Sequence, residues 1–222
     1  DTCSRQEIGP SRDLAKPQAL RLPKLIVGAR LVLQDCAVEW LALPTDRAAY
    51  HRLSRLLTLG KRRAGKAECH LTRADLTAPD AAGGCRGMIL IALPPADPGQ
   101  ALAPVRAMAR RYPGHVFLGA APRYDGTDQV WFDACARLAQ QASSPMVAVG
   151  DVLMHRAARR PLADVLTCMR EGLTIDRIGT RALMNAERRL KGAGDMARLY
   201  HRHPAAIRRT LEIAARCGFD LS

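Results

Sequence analysis

The sequence is poor in aromatic residues and has no long apolar run. Phe, Trp and Tyr make up 4% of the 222 residues, which argues against an extended platform of aromatic rings for stacking bases. No segment reaches the roughly 18 consecutive apolar residues that predict a membrane-spanning helix, and the polar first residues lack the apolar region of a signal peptide. These absences favour a cytoplasmic protein without a membrane partner.

Short motifs of metal-binding and catalytic proteins are also absent. The seven cysteines are scattered along the chain without a CxxC pair, a spacing that fits neither a zinc ribbon nor a small disulfide scaffold. The sequence contains no HExxH, GxSxG or GxxxxGK[ST] pattern. Any function must therefore be sought in longer patterns.

Positive charge is abundant. The composition, 48% hydrophobic and 25% charged residues with a formal net charge of +13, fits a soluble globular protein that could contact phosphates. The basic side chains are densest near residues 46–66, where a solvated helix face is the alternative to a DNA contact. The candidate DNA-binding residues are Arg52, Arg55, Lys61, Arg62, Arg63 and Lys66.

Runs of Val, Ile and Leu alternate with helical patterns, which predicts an α/β fold with parallel strands inside and helices outside. We expect strands at 25–33, 38–44, 87–94, 115–121 and 146–152. Helical patterns cover 46–59, 100–112, 128–142, 158–171, 195–203 and 204–217, and Thr72 and Asp75 form a capping-box pattern. These patterns divide the chain into an α/β domain at 1–157 and a helical extension at 158–222.

Asp151 closes the last predicted strand. Chemistry in α/β folds is concentrated at the carboxyl ends of parallel strands, so Asp151 stands at a typical ligand or catalytic position. A local turn cap is the alternative role, because Asp readily bonds to nearby backbone groups.

Three long patterns occur in a characteristic order. Residues 50–76 read YHRLSRLLTLGKRRAGKAECHLTRADL, residues 185–191 read NAERRLK and residues 209–221 read RTLEIAARCGFDL. In this the chain resembles the error-prone bacterial DNA polymerases of the replicative alpha-subunit type (C family). The resemblance implies a partial polymerase-and-histidinol-phosphatase (PHP) domain, which is a distorted (β/α)7 barrel, followed by a helical extension leading towards a polymerase palm.

The same resemblance implies a metal site that is largely lost. Active relatives hold divalent zinc, manganese or magnesium with His, Asp and Glu side chains, which activate water against a phosphoester. Arg30 stands where the family has a glutamate ligand, and Leu153 where it has a histidine. The family's first strand, with its His-x-His pair, would precede Asp1. The remaining candidate ligands are Asp1, Asp151 and His155, and we expect no cofactor in this chain.

Three functions follow from these patterns. The first is a fragment of an error-prone DNA polymerase, a nucleotidyltransferase of damage tolerance and repair, in which this segment is a degenerate, non-catalytic PHP domain. Its partners would be DNA and other subunits of a polymerase complex. The second is a stand-alone metal-dependent phosphoesterase built on Asp151 and His155. The third is a basic DNA-binding module.

Overall fold

A computed structural model describes residues 24–79 and 84–220. Within these ranges the chain forms one five-stranded sheet and seven α-helices. The strands are β1 (Ala29–Leu33), β2 (Cys36–Pro44), β3 (Met88–Leu93), β4 (Val116–Ala120) and β5 (Met146–Ala148). The predicted mixed α/β class is confirmed.

The sheet follows the chain order from β1 to β5, and its strand directions are mixed. β3, β4 and β5 are parallel, as predicted, but β1–β2 and β2–β3 are antiparallel. A two-residue turn joins β1 to β2, which forces an antiparallel pair. The chain then returns to the end of the sheet that it left, since Pro44 is paired with Met88. The expectation of parallel strands therefore holds for β3, β4 and β5 and is wrong for the pairs β1–β2 and β2–β3.

The helices largely follow the predicted periodicity. They are α1 (Arg47–Arg62), α2 (Arg73–Thr77), α3 (Leu102–Arg111), α4 (Asp128–Ala142), α5 (Arg160–Glu171), α6 (Ala193–Leu199) and α7 (Pro204–Arg216). The Asp46 carboxylate caps α1 by accepting a hydrogen bond from the Ala49 N–H at 2.7 Å. At α2 the Asp75 carboxylate accepts from the Thr72 N–H at 2.8 Å, the capping contact that the sequence predicted.

Both faces of the sheet are packed, but by different elements. On one face, buried side chains of the sheet meet α1, α3, α4 and Tyr200 in the larger core. On the other face, β3, β4 and β5 meet α7 in a smaller cluster formed by Ile89, Ile91, Phe117, Val147, Ile213 and Cys217. Arg30 of β1 is half-exposed and belongs to neither cluster. It lies beside the carboxyl ends of the parallel strands.

The later helices are joined to the sheet through Tyr200. Its buried ring stacks on Phe132 of α4, with 4.4 Å between ring centroids. Its hydroxyl group lies within hydrogen-bonding reach of the Ala120 carbonyl and, at 3.1 Å, of the Val149 carbonyl. The ends of β4 and β5 are thereby tied to the C-terminal part of the chain. The division into 1–157 and 158–222 stays a prediction.

No helix within residues 24–79 and 84–220 is both long and apolar enough to cross a bilayer.

Candidate functional site

A cavity of about 310 Å³ opens at the carboxyl ends of the parallel strands. Its wall combines strand-end residues with three arginines and one carboxylate. The lining residues include Arg30, Leu93, Gly119, Arg123, Trp131, Asp151 and Arg188. The strand-end position predicted for Asp151 is therefore part of a real cavity.

Asp151 is held by two guanidinium groups. Arg30 Nη1 lies 3.1 Å from Asp151 Oδ1, and Arg188 Nη2 forms an ion pair with Oδ2. Arg188 Nε also donates to the backbone carbonyl of Asp151 at 3.1 Å. Asp151 has a φ of 42°, in the left-handed region that Asp tolerates better than most residues. Its backbone and both carboxylate oxygens are thus held by arginine contacts.

Arg30 connects two carboxylates. It lies opposite Leu41 in the β1–β2 pair, and its Nε forms an ion pair with Glu39 while its Nη1 contacts Asp151. A guanidinium group cannot coordinate a metal ion, and its permanent charge repels one. A cation entering here would have to displace Arg30 from both acids.

His155 does not join this network in any contact given by the structure, and its side chain is exposed. Leu153, at the position of the family's histidine, is also exposed. Across residues 24–79 and 84–220 there is no group of three His, Cys, Asp or Glu side chains placed to hold a metal ion. Asp1 lies outside the described residues. The metal-ligand set Asp1, Asp151 and His155 therefore stays a prediction.

Two residues of the cavity were missed by the sequence reasoning. Arg188 lies within the NAERRLK pattern, which contributed to the family resemblance. Nothing in that pattern predicted the contact of Arg188 with Asp151. Arg123 follows β4, and its guanidinium carbon lies 3.5 Å from the Trp131 ring centroid. Arg123 Nη2 also donates to the Ala96 carbonyl at 2.7 Å. Arg123 could have been predicted as a cavity residue, because it closely follows a buried strand of the predicted parallel sheet.

The candidate DNA-binding residues separate into two groups. Arg52 donates to the Arg86 carbonyl at 3.1 Å, and Arg63 pairs with Asp75 at 2.8 Å. Burial acts to raise the pKa of Asp75, but hydrogen bonds from Arg63 and Thr72 outweigh it and hold that pKa below its ordinary value. The exposed members of the set are Arg55, Lys61, Arg62, Arg63 and Lys66, while Arg52 is partly buried.

Arg55, Arg62 and Arg63 border a depression along α1 and its C-terminal turn. The depression is lined by His51, Ser54, Arg55, Thr58, Leu59, Arg62 and Arg63. His51, Arg55, Thr58 and Arg62 follow one another at helical spacing, so they share one face of α1. A phosphate backbone lying along this face would meet several positive charges, although no contact in the structure tests such binding.

Comparison with known proteins gives matches along the whole chain. An error-prone DNA polymerase of Ruegeria pomeroyi is 68% identical over 222 residues, covering 100% of this chain and 20% of the relative. Relatives from Rhodopseudomonas palustris (strain BisB5) and Caulobacter vibrioides are 43% and 40% identical, covering 94% and 93% of this chain and 19% and 18% of their own lengths. No family model matches the chain.

All three of these relatives are DNA polymerases. By name each is an error-prone DNA polymerase, and this chain is homologous to one segment of them. The chain spans about a fifth of the length of the curated relatives that it matches. The resemblance found in the sequence patterns is confirmed.

Proposed function

We propose that this chain is a segment of an error-prone DNA polymerase and forms a degenerate PHP-type domain without catalysis of its own. In the complete polymerase it would act as a scaffold beside the catalytic palm, where DNA is synthesised during damage tolerance and repair. The observation that carries this proposal is the pairing of Asp151 with Arg30 and Arg188 at the strand ends. Homology along the whole of this chain to a segment of an error-prone DNA polymerase supports the assignment to such a polymerase.

The arginine pairs oppose a hydrolytic role for this cavity. A catalytic zinc site needs about three protein ligands together with an open position for water. Here the Asp151 carboxylate is already paired with two cations, one of them at the family's glutamate position. We therefore favour the polymerase scaffold over a stand-alone phosphoesterase built on Asp151 and His155.

A contact between the two edges of the sheet supports a barrel-like domain. In a flat sheet, four strand spacings of about 4.8 Å would separate β1 from β5 by about 19 Å. Val149, just after β5, is still bonded to β4, because its N–H donates to the Ala120 carbonyl at 3.1 Å. Asp151 lies two residues further on, and Arg30 of β1 reaches its carboxylate. A link between the first strand and the residues after the last strand is what an incomplete (β/α)7 barrel would require.

A contact with DNA through α1 is a second role within the same polymerase. It is supported by the exposed side chains of Arg55, Lys61, Arg62 and Lys66 and by the net charge of +13. Cations facing phosphates release counterions, which favours binding without regard to base sequence. DNA is accordingly the partner that we propose for the complete protein.

Metal content and hydrolysis test the degenerate domain. The purified chain would be incubated with Mn²⁺ or Zn²⁺, desalted, and examined by elemental mass spectrometry and with a generic phosphomonoester substrate. We expect less than one bound metal ion per ten chains and no hydrolysis above the buffer rate. One ion per chain, with hydrolysis that is lost in Asp151→Ala, would establish the phosphoesterase instead.

Primer extension tests the polymerase assignment. The chain would replace the matching fifth of the Ruegeria pomeroyi polymerase, to which it is 68% identical. We expect this chimaera to extend a primed DNA template, and Asp151→Asn to leave extension within about twofold of the parent chimaera at temperatures where both are folded. A loss of several hundredfold in a folded Asp151→Asn protein would assign Asp151 to catalysis.

A further inference from the structure

Helix α5 presents its apolar stripe to solvent. Leu162, Val165, Leu166 and Met169 are 49%, 43%, 56% and 73% exposed. Their spacing of i, i+3, i+4 and i+7 places all four on one side of the helix. Amphipathic helices of single domains normally turn such a stripe towards the core. In α5 the apolar side faces solvent instead.

Polar contacts hold α5 in this orientation. Its buried side carries Cys168, together with Asp164, whose Oδ1 accepts from the Leu183 N–H at 3.2 Å. Arg160 Nη2 donates to the Leu183 carbonyl at 2.6 Å, and its Nε lies 3.6 Å from Asp164 Oδ2. The opposite side of α5 is therefore fastened to the following segment, and the stripe is left outward.

Other apolar side chains are exposed near α5 in the chain. Ile175 and Met184, on the segment that α5 anchors, are 56% and 75% exposed. Glu171 at the end of α5 lies 3.7 Å from Arg181, which holds that segment close to the helix. The four apolar side chains on the outer side of α5 are the kind of surface that marks an interaction site in a soluble protein.

The charge of the segment that carries the stripe indicates what can cover it. Residues 152–190 contain eight arginines against four acidic residues, a balance of +4. Nucleic acid would match the arginines but would leave the apolar stripe unfilled, because phosphates and sugars bury little apolar surface. A second copy of the chain would bring two such basic segments together, and each copy carries a net charge of +13.

We propose that the α5 stripe docks into an apolar groove, flanked by acidic side chains, on the part of the polymerase polypeptide outside this segment. About four fifths of each relative's length lies outside the matched region. A covalently linked partner is present at an effective concentration on the order of millimolar. Anchors at i, i+3, i+4 and i+7 are the pattern by which a helix enters a groove. This inference rests on the proposed polymerase function.

Hydrogen exchange of residues 160–171 tests the docking. Exchange would be compared between the isolated 222-residue chain and the chimaera with the Ruegeria pomeroyi polymerase, each with and without Leu166→Ser plus Met169→Ser. We expect at least tenfold slower exchange of this helix in the chimaera, and loss of that protection in the double variant. The matched control is Leu211→Ser, on α7, where the side chain is 72% exposed and lies on a different helix.

Equal exchange in the chimaera and in the isolated chain would overturn the proposal. Protection that grows with the concentration of the isolated chain would overturn it in favour of a second copy. Should the chimaera fail to fold, the chain and the remaining four fifths of the relative would be produced separately and mixed in an analytical ultracentrifuge. Association that is lost in the double variant supports the proposal, and no association overturns it.

Primer extension by the same chimaera separates this proposal from the polymerase assignment. Protection of residues 160–171 without extension would retain the docking surface and reject the polymerase role. Primer extension without protection of residues 160–171 would retain the polymerase role and reject the docking surface.

Discussion

Arg30 and Asp151 lie 121 positions apart in the chain, and their side chains meet at 3.1 Å across the end of the sheet. Arg30 also pairs with Glu39, so one guanidinium group is shared between two carboxylates. The contact brings the first strand and the residues after the last strand into one network. The sequence resemblance predicts that this is the place where the chain departs from the metal-binding pattern of the family.

Arg30→Glu should restore an acidic cluster at this place. Three carboxylates would then face one another with Arg188 still paired to Asp151, and we expect a loss of roughly 1–2 kcal/mol in stability, reduced by solvent screening because residue 30 is half-exposed. Mn²⁺ should raise the Tm of this variant and leave that of the parent unchanged, as measured by scanning calorimetry with and without EDTA. Arg30→Gln, which adds no ligand charge, is the control. An equal Mn²⁺ response in parent and variant would contradict the role given to Arg30.

Tyr200→Phe should weaken the connection between the C-terminal helices and the sheet. The change keeps the ring stacked on Phe132 but removes the hydroxyl group that faces the Ala120 and Val149 carbonyls. The Ala120 carbonyl keeps its hydrogen bond from the Val149 N–H. Removing the donor to the Val149 carbonyl costs about 1–3 kcal/mol, which urea unfolding would detect. Tyr124→Phe, at a half-buried ring under Lys191, is the matched control with an expected loss below about 0.5 kcal/mol. Equal losses in the two variants would show that the Tyr200 hydroxyl has no special role.

Stability should fall as the solution becomes alkaline. Burial raises the pKa of the Cys85 and Cys135 thiols from 9.0 to about 12. Both thiols stay protonated in the folded chain while those of the unfolded chain ionise, so the stability present below pH 9 is lost as the pH rises towards 12. Each thiol contributes a slope of about 1.4 kcal/mol per pH unit in this window.

Urea unfolding at pH 8, 9.5 and 10.5 measures this slope. Cys85→Ala should lower stability by a constant amount below pH 9 and make the alkaline decline shallower, and the double variant with Cys135→Ala should flatten it further. The constant loss from the missing side chain is thereby separated from the titration. Parallel declines in the parent and both variants would refute the assignment to these thiols.

Removing exposed cations at the end of α1 and in the turn after it should weaken DNA binding. For Lys61→Ala, Arg62→Ala and Lys66→Ala combined, the slope of log K against log salt concentration should fall by up to about 2.7, since each phosphate contact on duplex DNA contributes about 0.9. Fluorescence anisotropy in a salt series measures both the affinity and the slope. The control replaces Arg110, Arg111 and Arg137, which are equally exposed on α3 and α4. An identical effect of both triple variants would indicate general attraction to the charged chain rather than a surface on α1.

Local patterns predicted most elements of this fold. The periodicity of 128–142 coincides with α4, and all five apolar runs contain strands. β5 ends at Ala148, four residues before the predicted end, because Gly150 and the left-handed Asp151 turn the chain away from the sheet. Strand direction could not be read from periodicity, because an apolar run has the same pattern in a parallel and an antiparallel pair.

The candidate site was predicted only in part. Asp151 was identified because it follows a buried strand, and Arg30 because it replaces an expected acid. Arg188 was missed, since its contact with Asp151 spans 37 positions and depends on how the segment after α5 folds back. No local spacing records such a contact. The orientation of α5 was hidden for the same reason: its sequence predicts an amphipathic helix but not which side faces the core.

The outward stripe of α5 makes the solution behaviour of the isolated chain depend on ionic strength. At low salt, mutual repulsion between chains of net charge +13 keeps their apolar surfaces apart. At about 1 M salt the screening length contracts to about 3 Å. The charges of two chains then no longer keep their apolar stripes apart. Precipitation should then set the upper salt limit for handling the chain, and polar substitutions at Leu166 and Met169 should raise that limit.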